Sequence, residues 1–260
     1  MVGAYFAHVS TYATLLAALP FVSAVMKVTM IGDSITEGGA CGTGSYVNIL
    51  AEMLGPNYKV LNCGVSGMTM MKYGLCGGDS TDGSDCSYWH TDAWQKALVS
   101  EPNIVVIMLG TNDVKYFNWE GVQQNIGDYY TLDYVDMIKQ LRKNGADLKR
   151  VFVAVPPPLY DPAPYGMNAT VMNQIFPTLI RNLANVTDTD VIDVFSAFSG
   201  AFQMCDNCHP NAEGTQVIAE AMYKKIIEVE AFSDPQKLVY VQQKINENTS
   251  FRRISSSSLD

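Results

Sequence analysis

Short β-branched runs that alternate with longer amphipathic segments are the feature that most restricts how this chain can fold. Five runs have the length and near-continuous hydrophobicity of strands that are buried on both faces. They occupy residues 28–31, 59–62, 104–109, 151–155 and 191–194. Strands of this kind, when helices separate them, are typical of a parallel sheet that is covered on both sides. The sequence therefore predicts an α/β fold.

Helical periodicity between these runs supports the same architecture. Apolar residues recur at helical spacing in three segments, and we expect each stripe to face the core. The stripes are Tyr134, Met137, Ile138 and Leu141; Phe176, Leu179, Ile180 and Leu183; and Ile218, Met222, Ile226 and Val229. Gly145 follows the first stripe as a predicted C-cap, and Pro177 marks the predicted start of the second helix.

The size and charge of the chain limit its domain count and its partners. The sequence has 260 residues, of which 48% are hydrophobic, and we expect one domain at residues 25–232. The net charge of −9 and the lack of any basic run argue against a nucleic acid partner, because phosphate backbones are bound by clustered Lys and Arg. Residues 233–260 are predicted to form a C-terminal helix and a disordered tail that includes the serines at 255–258.

The amino terminus has the pattern of a secretion signal. Residues 12–21 form an apolar stretch, and Val22-Ser23-Ala24 after it resembles a signal-peptidase site. The stretch is shorter than the roughly 20 residues that a bilayer span needs, so we expect no stable membrane insertion. Because the first residues carry no Lys or Arg, an extra helix packed on the domain is the alternative. We predict a signal peptide at residues 1–24.

The cysteines and the glycosylation sequons also favour secretion. The cysteines are six in number, which suits pairing in an oxidising compartment: Cys41, Cys63, Cys76, Cys86, Cys205 and Cys208. Glycosylation sequons begin at Asn168, Asn185 and Asn248. Cys76 and Cys86 bracket a loop of Gly, Asp and Ser and are the pair most easily bridged, whereas the other pairings stay open. These features together predict a secreted, extracellular protein.

Four polar loops follow predicted strands, each at a carboxyl end. Gly32-Asp33-Ser34 ends the first strand, Ser66-Gly67 follows the second, Gly110-Thr111-Asn112-Asp113 ends the third, and a loop with Asp206 and His209 follows the fifth. In an open parallel sheet all these loops emerge at one edge, where such folds bind their ligands. We therefore expect these polar residues to meet in one site.

The residue types in these loops fit nucleophilic catalysis. Ser34 becomes a nucleophile when a base takes its proton, and His209 can do this at neutral pH. Asp206 can hold the imidazole in the required tautomer and stabilise the imidazolium. The backbone N–H groups of Ser34 and Gly67, with the side-chain amide of Asn112, can form an oxyanion hole.

Each of these residues also has a structural interpretation. The segment from Ser34 to Glu37 fits a capping box, Gly67 suits a turn, and Asn112 suits a helix N-cap. Their joint occurrence at successive strand ends favours catalysis. His90 is the rival base, with Asp92 as its near carboxylate, but its position in a predicted loop indicates a surface or substrate-edge residue.

The same loops resemble the four ordered blocks of the SGNH (GDSL) hydrolases. The blocks are Gly32-Asp33-Ser34-Ile35-Thr36, Asn62-x-Gly64-x-Ser66-Gly67, Gly110-Thr111-Asn112-Asp113 and Asp206-x-x-His209-Pro210, and the resemblance spans residues 27–230. It implies a three-layer, flavodoxin-like α/β/α sandwich with strand order 2-1-3-4-5. It also implies ester hydrolysis through an acyl-serine intermediate, with Ser34 as nucleophile, Gly67 and Asn112 in the oxyanion hole, and Asp206 and His209 as acid and base. This chemistry needs no metal and no organic cofactor.

The segment from Cys205 to His209 permits other interpretations. Cys-x-x-Cys-His is the c-type haem attachment pattern, and the two thiols with His209 resemble part of a zinc site. Neither accounts for the loops of Ser34, Gly67 and Asn112, and a binding module that has lost activity is a third alternative. The family pattern does not require cysteines beside Asp206; they either brace the catalytic loop through disulfides or stay free and redox-sensitive.

Aromatic and methionine residues near the second and third blocks bear on the substrate. The rings belong to Tyr73, Tyr88, Trp89, Trp94, Tyr116, Phe117 and Trp119. Aromatic faces can stack on sugars, and the resemblance extends to carbohydrate and sialate O-acetylesterases, so we expect a small-molecule or carbohydrate ester as substrate. Burial of most of these rings is the structural alternative. Met68, Met70 and Met71 suit an acyl tunnel, which makes a lysophospholipase or thioesterase the alternative function.

Overall fold

The computed structural model describes residues 25–77, 85–119, 126–145 and 147–232. The predicted signal peptide at 1–24 and the predicted helix and tail at 233–260 lie outside these residues, so those assignments and the domain boundaries remain predictions. Among the residues that the structure describes, no helix combines the length and the hydrophobicity that crossing a bilayer requires.

Five strands form one sheet in the order β2-β1-β3-β4-β5, and every neighbouring pair is parallel. The strands are β1 (Met26–Gly32), β2 (Tyr58–Gly64), β3 (Ile104–Met108), β4 (Arg150–Val155) and β5 (Asp190–Asp193). The predicted fold class and strand order are therefore confirmed. Two predicted strand ends were one residue too long, since Leu109 and Val194 lie just beyond β3 and β5.

The described residues contain seven α-helices. They are α1 (Ser34–Glu37), α2 (Tyr46–Leu54), α3 (Asp92–Val99), α4 (Tyr116–Trp119), α5 (Ile126–Asn144), α6 (Phe176–Thr187) and α7 (Ala212–Phe232). The predicted C-cap of α5 is confirmed, because the N–H of Gly145 donates to the carbonyl of Leu141 at 2.9 Å. Pro177 lies in the first turn of α6, as its fixed φ angle favours.

Two apolar clusters, one on each face of the sheet, hold the layers together. One cluster joins the sheet to α3, α5 and α6, and the other joins it to α2 and α7. Along β3, Val105 and Ile107 enter the first cluster, whereas Ile104 and Val106 enter the second, as alternation along a strand requires. The three predicted stripes face these clusters, although Leu179 is only partly buried. The result is a three-layer sandwich whose polar loops gather at the carboxyl edge of the sheet.

Candidate active site

Ser34 lies at the carboxyl end of β1, where the chain turns sharply into the short helix α1. The carboxylate of Asp33 caps this helix by accepting the N–H of Ile35 at 3.0 Å. The interpretation of Ser34 as the capping residue was therefore wrong by one position, because the cap falls to Asp33. The hydroxyl of Ser34 instead lies 2.9 Å from Nε2 of His209.

His209 and Asp206 meet Ser34 from a tight loop that precedes α7. An antiparallel bridge between Met204 and Pro210 closes this loop, and Asn207 adopts a left-handed conformation with φ of 66°. Nδ1 of His209 lies 2.7 Å from Oδ2 of Asp206. Because an ionised carboxylate only accepts hydrogen bonds, it places the imidazole proton on Nδ1 and leaves Nε2 free to accept the proton of Ser34.

The carboxylate of Asp206 is held in its ionised form. Partial burial acts to raise its pKa, but hydrogen bonds from the ring and backbone of His209, from Tyr165 and from the Cys208 N–H outweigh burial and lower the pKa to about 2. At neutral pH Asp206 is therefore a negative charge beside the His209 ring. The ring itself is nearly covered, with 11% of its side chain exposed.

Gly67 occupies a tight turn after β2. Its φ of 80° is a conformation that residues with a side chain rarely adopt, and the Met68 N–H closes the turn onto the Val65 carbonyl at 3.4 Å. The structural interpretation of Gly67 as a turn glycine is thus compatible with the role implied by the resemblance. The turn begins directly over β1, because the Val65 N–H donates to the carbonyl of Gly32 at 3.0 Å.

The Asn112 side chain reaches the same turn from the end of β3. It is 4% exposed, and its Nδ2 donates to the carbonyl of Met68 at 3.2 Å. The alternative that Asn112 caps a helix was wrong, since residues 111–114 form a turn and α4 begins only at Tyr116. Asn112 and the Gly67 turn are therefore neighbours, as the resemblance implies.

Two carboxylates that hold the Gly67 turn were not singled out from the sequence. Glu37 accepts the N–H of Ser66 at 2.9 Å and also its hydroxyl. Asp113, fully buried, accepts the N–H groups of Met70 and Met71, both at 2.9 Å. Burial raises the pKa of Asp113 to about 7, and the nearby charge of Asp33 acts in the same direction. Asp113 belongs to the third matching block and Glu37 directly follows the first, but only the hydrogen-bond partners of these carboxylates show what they hold.

Disulfides exclude haem attachment and a zinc site as interpretations of the loop at 205–209. Cys205 is bonded to Cys41, and Cys76 is bonded to Cys86, which confirms the one pairing expected from the sequence. Cys208 is a free, buried thiol whose pKa burial raises strongly. Because the sulfur of Cys205 is already bonded, it cannot form a haem thioether or ligate zinc. Of the two cysteines beside Asp206, one is therefore a brace and the other is free.

Tyr165 is a further contact of this site that the sequence did not predict. It is 59% exposed, and its hydroxyl donates to Oδ2 of Asp206 at 2.8 Å. The hydrogen bond to Asp206 raises the pKa of Tyr165. A tyrosine in the Pro-rich stretch at 156–165 carries no periodic signal, and only the folded loop shows where its hydroxyl points.

His90 lies apart from this constellation. Its side chain is 58% exposed and contacts Asp85, so the expectation of Asp92 as its carboxylate neighbour was wrong: Asp92 opens α3, whereas Asp85 faces the ring. The prediction of a surface residue is confirmed.

Most of the aromatic and methionine candidates for substrate contact belong to the core. Tyr88, Trp89, Trp94 and Trp119 are at most 9% exposed, and Met70 and Met71 are at most 5% exposed. These rings do not offer an open stacking face, and these two methionines do not line an open tunnel, because their surfaces are already packed. Tyr73 and Tyr116 keep exposed rings, at 88% and 52%.

The chain matches known proteins over most of the described fold. The model of the family described as GDSL-like Lipase/Acylhydrolase matches residues 30–217. The chain belongs to this family. The match contains all five candidate site residues, Ser34, Gly67, Asn112, Asp206 and His209.

The proteins similar to this GDSL-like chain include acetylxylan esterases. An acetylxylan esterase of Xylanibacter ruminicola is 29% identical over 216 residues, which cover 75% of this chain and 42% of that protein. The chain thus spans about two fifths of that relative. Among solved structures, the acetylxylan esterase Axe2 of Geobacillus stearothermophilus is similar with a TM-score of 0.56 and 21% identity, covering 79% of this chain and 95% of Axe2. A putative arylesterase of Agrobacterium tumefaciens has a TM-score of 0.60 and 23% identity, with coverage of 77% and 98%. These structural similarities support the GDSL-like fold.

Proposed function

We propose that this chain is a serine esterase that removes O-acetyl groups from a carbohydrate. The observation that carries the proposal is the continuous series of hydrogen bonds from Ser34 through His209 to Asp206, at 2.9 and 2.7 Å. A series of this geometry activates a hydroxyl that is otherwise a weak nucleophile.

In the proposed reaction, Ser34 Oγ attacks the ester carbonyl carbon while Nε2 of His209 takes the hydroxyl proton. Asp206 stabilises the imidazolium that results. When the tetrahedral intermediate collapses, the bond to the alcohol oxygen breaks, and Nε2 returns its proton to that oxygen. An acetyl-serine remains. Water then attacks it with His209 again as base, which releases acetate and restores the Ser34 hydroxyl.

The negative oxygen of the tetrahedral intermediate needs hydrogen-bond donors. We assign this task to the backbone N–H groups of Ser34 and Gly67 and to Nδ2 of Asn112. The support is that Asn112 already contacts the Gly67 turn and that the turn is tied to the end of β1. A donor of this kind is worth about 3 to 4 kcal/mol of barrier.

Acetyl esters of a sugar are favoured over lipid esters by two features. The acetylxylan esterase of Xylanibacter ruminicola is similar in sequence, and the acetylxylan esterase Axe2 of Geobacillus stearothermophilus is similar in fold. In addition, Met70 and Met71 are packed into the core, so only the partly buried Met68 of the three methionines is left to line a tunnel for a long acyl chain. The exposed rings of Tyr73 and Tyr116 remain as surfaces that a sugar can contact.

We further propose that the enzyme works outside the cell after residues 1–24 direct its export. The Cys41–Cys205 and Cys76–Cys86 disulfides support this, because such bonds persist in oxidising compartments. Sequencing the amino terminus of the exported protein tests the proposal. We expect it to begin at Val25, whereas an exported or retained chain that begins at Met1 would contradict it.

The test of the activity is a panel of substrates on the wild type and on Ser34→Ala. The panel contains aryl esters from acetyl to octanoyl and an acetylated xylan. We expect the wild type to prefer acetyl and to release acetate from xylan, and Ser34→Ala to lose at least about a thousandfold in kcat/KM. Ser199→Ala, at an exposed position, is the matched control and should behave as the wild type.

Two results would overturn parts of the proposal. Undiminished turnover by Ser34→Ala would refute the serine mechanism. Activity that rises steadily with acyl length would refute the acetylesterase assignment and favour a lipid esterase instead.

A further inference from the structure

We propose that Tyr165 is a positioning residue for the triad of Ser34, His209 and Asp206. Its hydroxyl fixes the carboxylate of Asp206 in the orientation that catalysis requires. The inference rests on the proposed serine esterase function and extends it by one residue outside the four sequence blocks.

The hydrogen bonds of Asp206 carry the first step. Its Oδ1 accepts the N–H groups of Cys208 and His209, at 3.1 and 2.6 Å. Its Oδ2 accepts Nδ1–H of His209 at 2.7 Å and the hydroxyl of Tyr165 at 2.8 Å. An ionised carboxylate has about four acceptor positions, so these four donors fill it. Three donors come from the loop of Asp206 itself, and among the described residues Tyr165 alone holds the group from outside that loop.

The backbone of Tyr165 is placed for this contact although its side chain is exposed. Tyr165 has a φ of 56° and Gly166 has a φ of 67°, so two successive residues adopt the left-handed region. A residue with a side chain stays in that region when its surroundings fix it, and such residues concentrate at functional sites. The carbonyl of Gly166 accepts the N–H of Tyr116 at 2.9 Å, which ties this turn to the end of the Asn112 loop.

The loop of Tyr165 is also tied to the loop of Asp206. The N–H of Tyr160 donates to the carbonyl of Asn207 at 3.0 Å, and Nδ2 of Asn207 donates to the carbonyl of Pro162 at 3.2 Å. The loop of Tyr165 is therefore hydrogen-bonded to two parts of the site, the segment after β3 and the loop before α7, and Tyr165 reaches Asp206 from this loop.

The ring and the hydroxyl of Tyr165 make separate contacts. The ring meets the His209 ring edge-on, with centroids 5.7 Å apart and planes at 72°. Replacing Tyr165 with Phe removes the hydroxyl donor and keeps this ring contact, whereas replacing it with Ala removes both. The two variants therefore distinguish orientation of the carboxylate from packing against His209.

Losing the hydroxyl has two consequences for catalysis. The Asp206 carboxylate gains freedom to rotate, so fewer enzyme molecules hold His209 ready to take the Ser34 proton. Without the Tyr165 donor, the negative charge of the carboxylate also attracts the protonated His209 ring more strongly. The ring then releases its proton less readily. The first effect lowers kcat, and the second moves the acid limb of the pH profile towards higher pH.

The experiment compares the pH dependence of kcat and kcat/KM for aryl acetate hydrolysis by the wild type and Tyr165→Phe. We expect kcat to fall about tenfold with little change in KM, as the loss of one charge-assisted hydrogen bond allows. The acid limb of the pH profile, which reflects the titration of the triad as a coupled unit, should move up by a few tenths of a pH unit. Tyr165→Ala should lose more activity than Tyr165→Phe.

Controls separate this proposal from the one on which it rests. Tyr58→Phe, at the amino end of β2 and thus at the far edge of the sheet, should leave kcat and the acid limb unchanged. Loss of activity in Ser34→Ala together with a wild-type pH profile and kcat in Tyr165→Phe would overturn the role of Tyr165 alone. A rise in KM of Tyr165→Phe without any change in kcat or in the acid limb would also overturn it, because it would make Tyr165 a substrate contact.

Discussion

Ser34 Oγ lies 2.9 Å from Nε2 of His209, although 175 residues separate them in the chain. Ser34 follows β1, whereas His209 follows β5, and the strand order places β3 and β4 between these two. Three strand spacings correspond to about 14 Å. The segment after Asp193 must therefore cross back over the carboxyl edge of the sheet before α7 begins, and the contact between His209 and Ser34 depends on what holds that segment in place.

Comparing His209 with His90 tests directly whether His209 is the general base. His209→Gln should lose at least about a thousandfold in kcat/KM for aryl acetates, because no other group within hydrogen-bonding distance of Ser34 Oγ in the described residues can take its proton. His90→Gln is the matched control. Its exposed ring contacts Asp85 rather than Ser34 or Asp206, so we expect turnover within about twofold of the wild type. Equal losses in the two variants would contradict the assignment.

The side chain of Asn112 should matter for the transition state more than for binding. Asn112→Ala removes the Nδ2 donor, and we expect kcat for aryl acetates to fall about a hundredfold or more while KM changes little. Ala at this position also leaves the Met68 carbonyl without its donor, so thermal unfolding should be recorded for the same variant. A change confined to KM would show that Asn112 binds substrate without stabilising the oxyanion.

Periodicity predicted the strands of the sheet and placed the five candidate site residues in loops, because both depend on local patterns, whereas the strand order was implied by the resemblance to the SGNH blocks. β3 is buried along its whole length and therefore carries an unbroken apolar run. Ser34, Gly67 and Asn112 each follow a strand within a few residues. The parallel topology then places all of them at one edge without any knowledge of side-chain contacts.

What holds the site together could not be predicted in this way. The Cys41–Cys205 pairing and the Tyr165 contact with Asp206 join segments that are distant in sequence, and no local pattern marks their partners. The capping residue of α1 was misplaced for a related reason. Asp33 and Ser34 are both favourable N-caps, and the contact of Ser34 with His209 leaves the cap to its neighbour.

The low pKa of Asp206 predicts a specific pH dependence of stability. A carboxyl group whose pKa falls to about 2 on folding stabilises the native state above its unfolded value near 4, and this contribution is lost as the pH falls through about 2. The shift corresponds to about 2 kcal/mol. The difference in free energy of unfolding between the wild type and Asp206→Asn, measured with urea, should shrink by about that amount between pH 6 and pH 2. Asp147→Asn, at an exposed position, should show no such trend.

The Cys41–Cys205 disulfide should matter both for stability and for activity. It joins the chain just after α1 to the residue before Asp206 and closes a sequence separation of 164, whereas Cys76–Cys86 closes one of 10. Loop-closure entropy alone predicts contributions of about 5 and about 3 kcal/mol. We therefore expect the double variant Cys41→Ser with Cys205→Ser to lower the melting temperature more than Cys76→Ser with Cys86→Ser.

Activity distinguishes the two disulfides more sharply than stability does. Cys41 Sγ lies 3.5 Å from the carbonyl oxygen of His209, so its removal frees the loop that must cross the sheet to reach Ser34. Well below either melting temperature, the Cys41/Cys205 variant should show a reduced kcat for aryl acetates, and the Cys76/Cys86 variant should retain more. If the Cys41/Cys205 variant melted earlier but kept its full kcat, the disulfide would stabilise the fold without orienting His209.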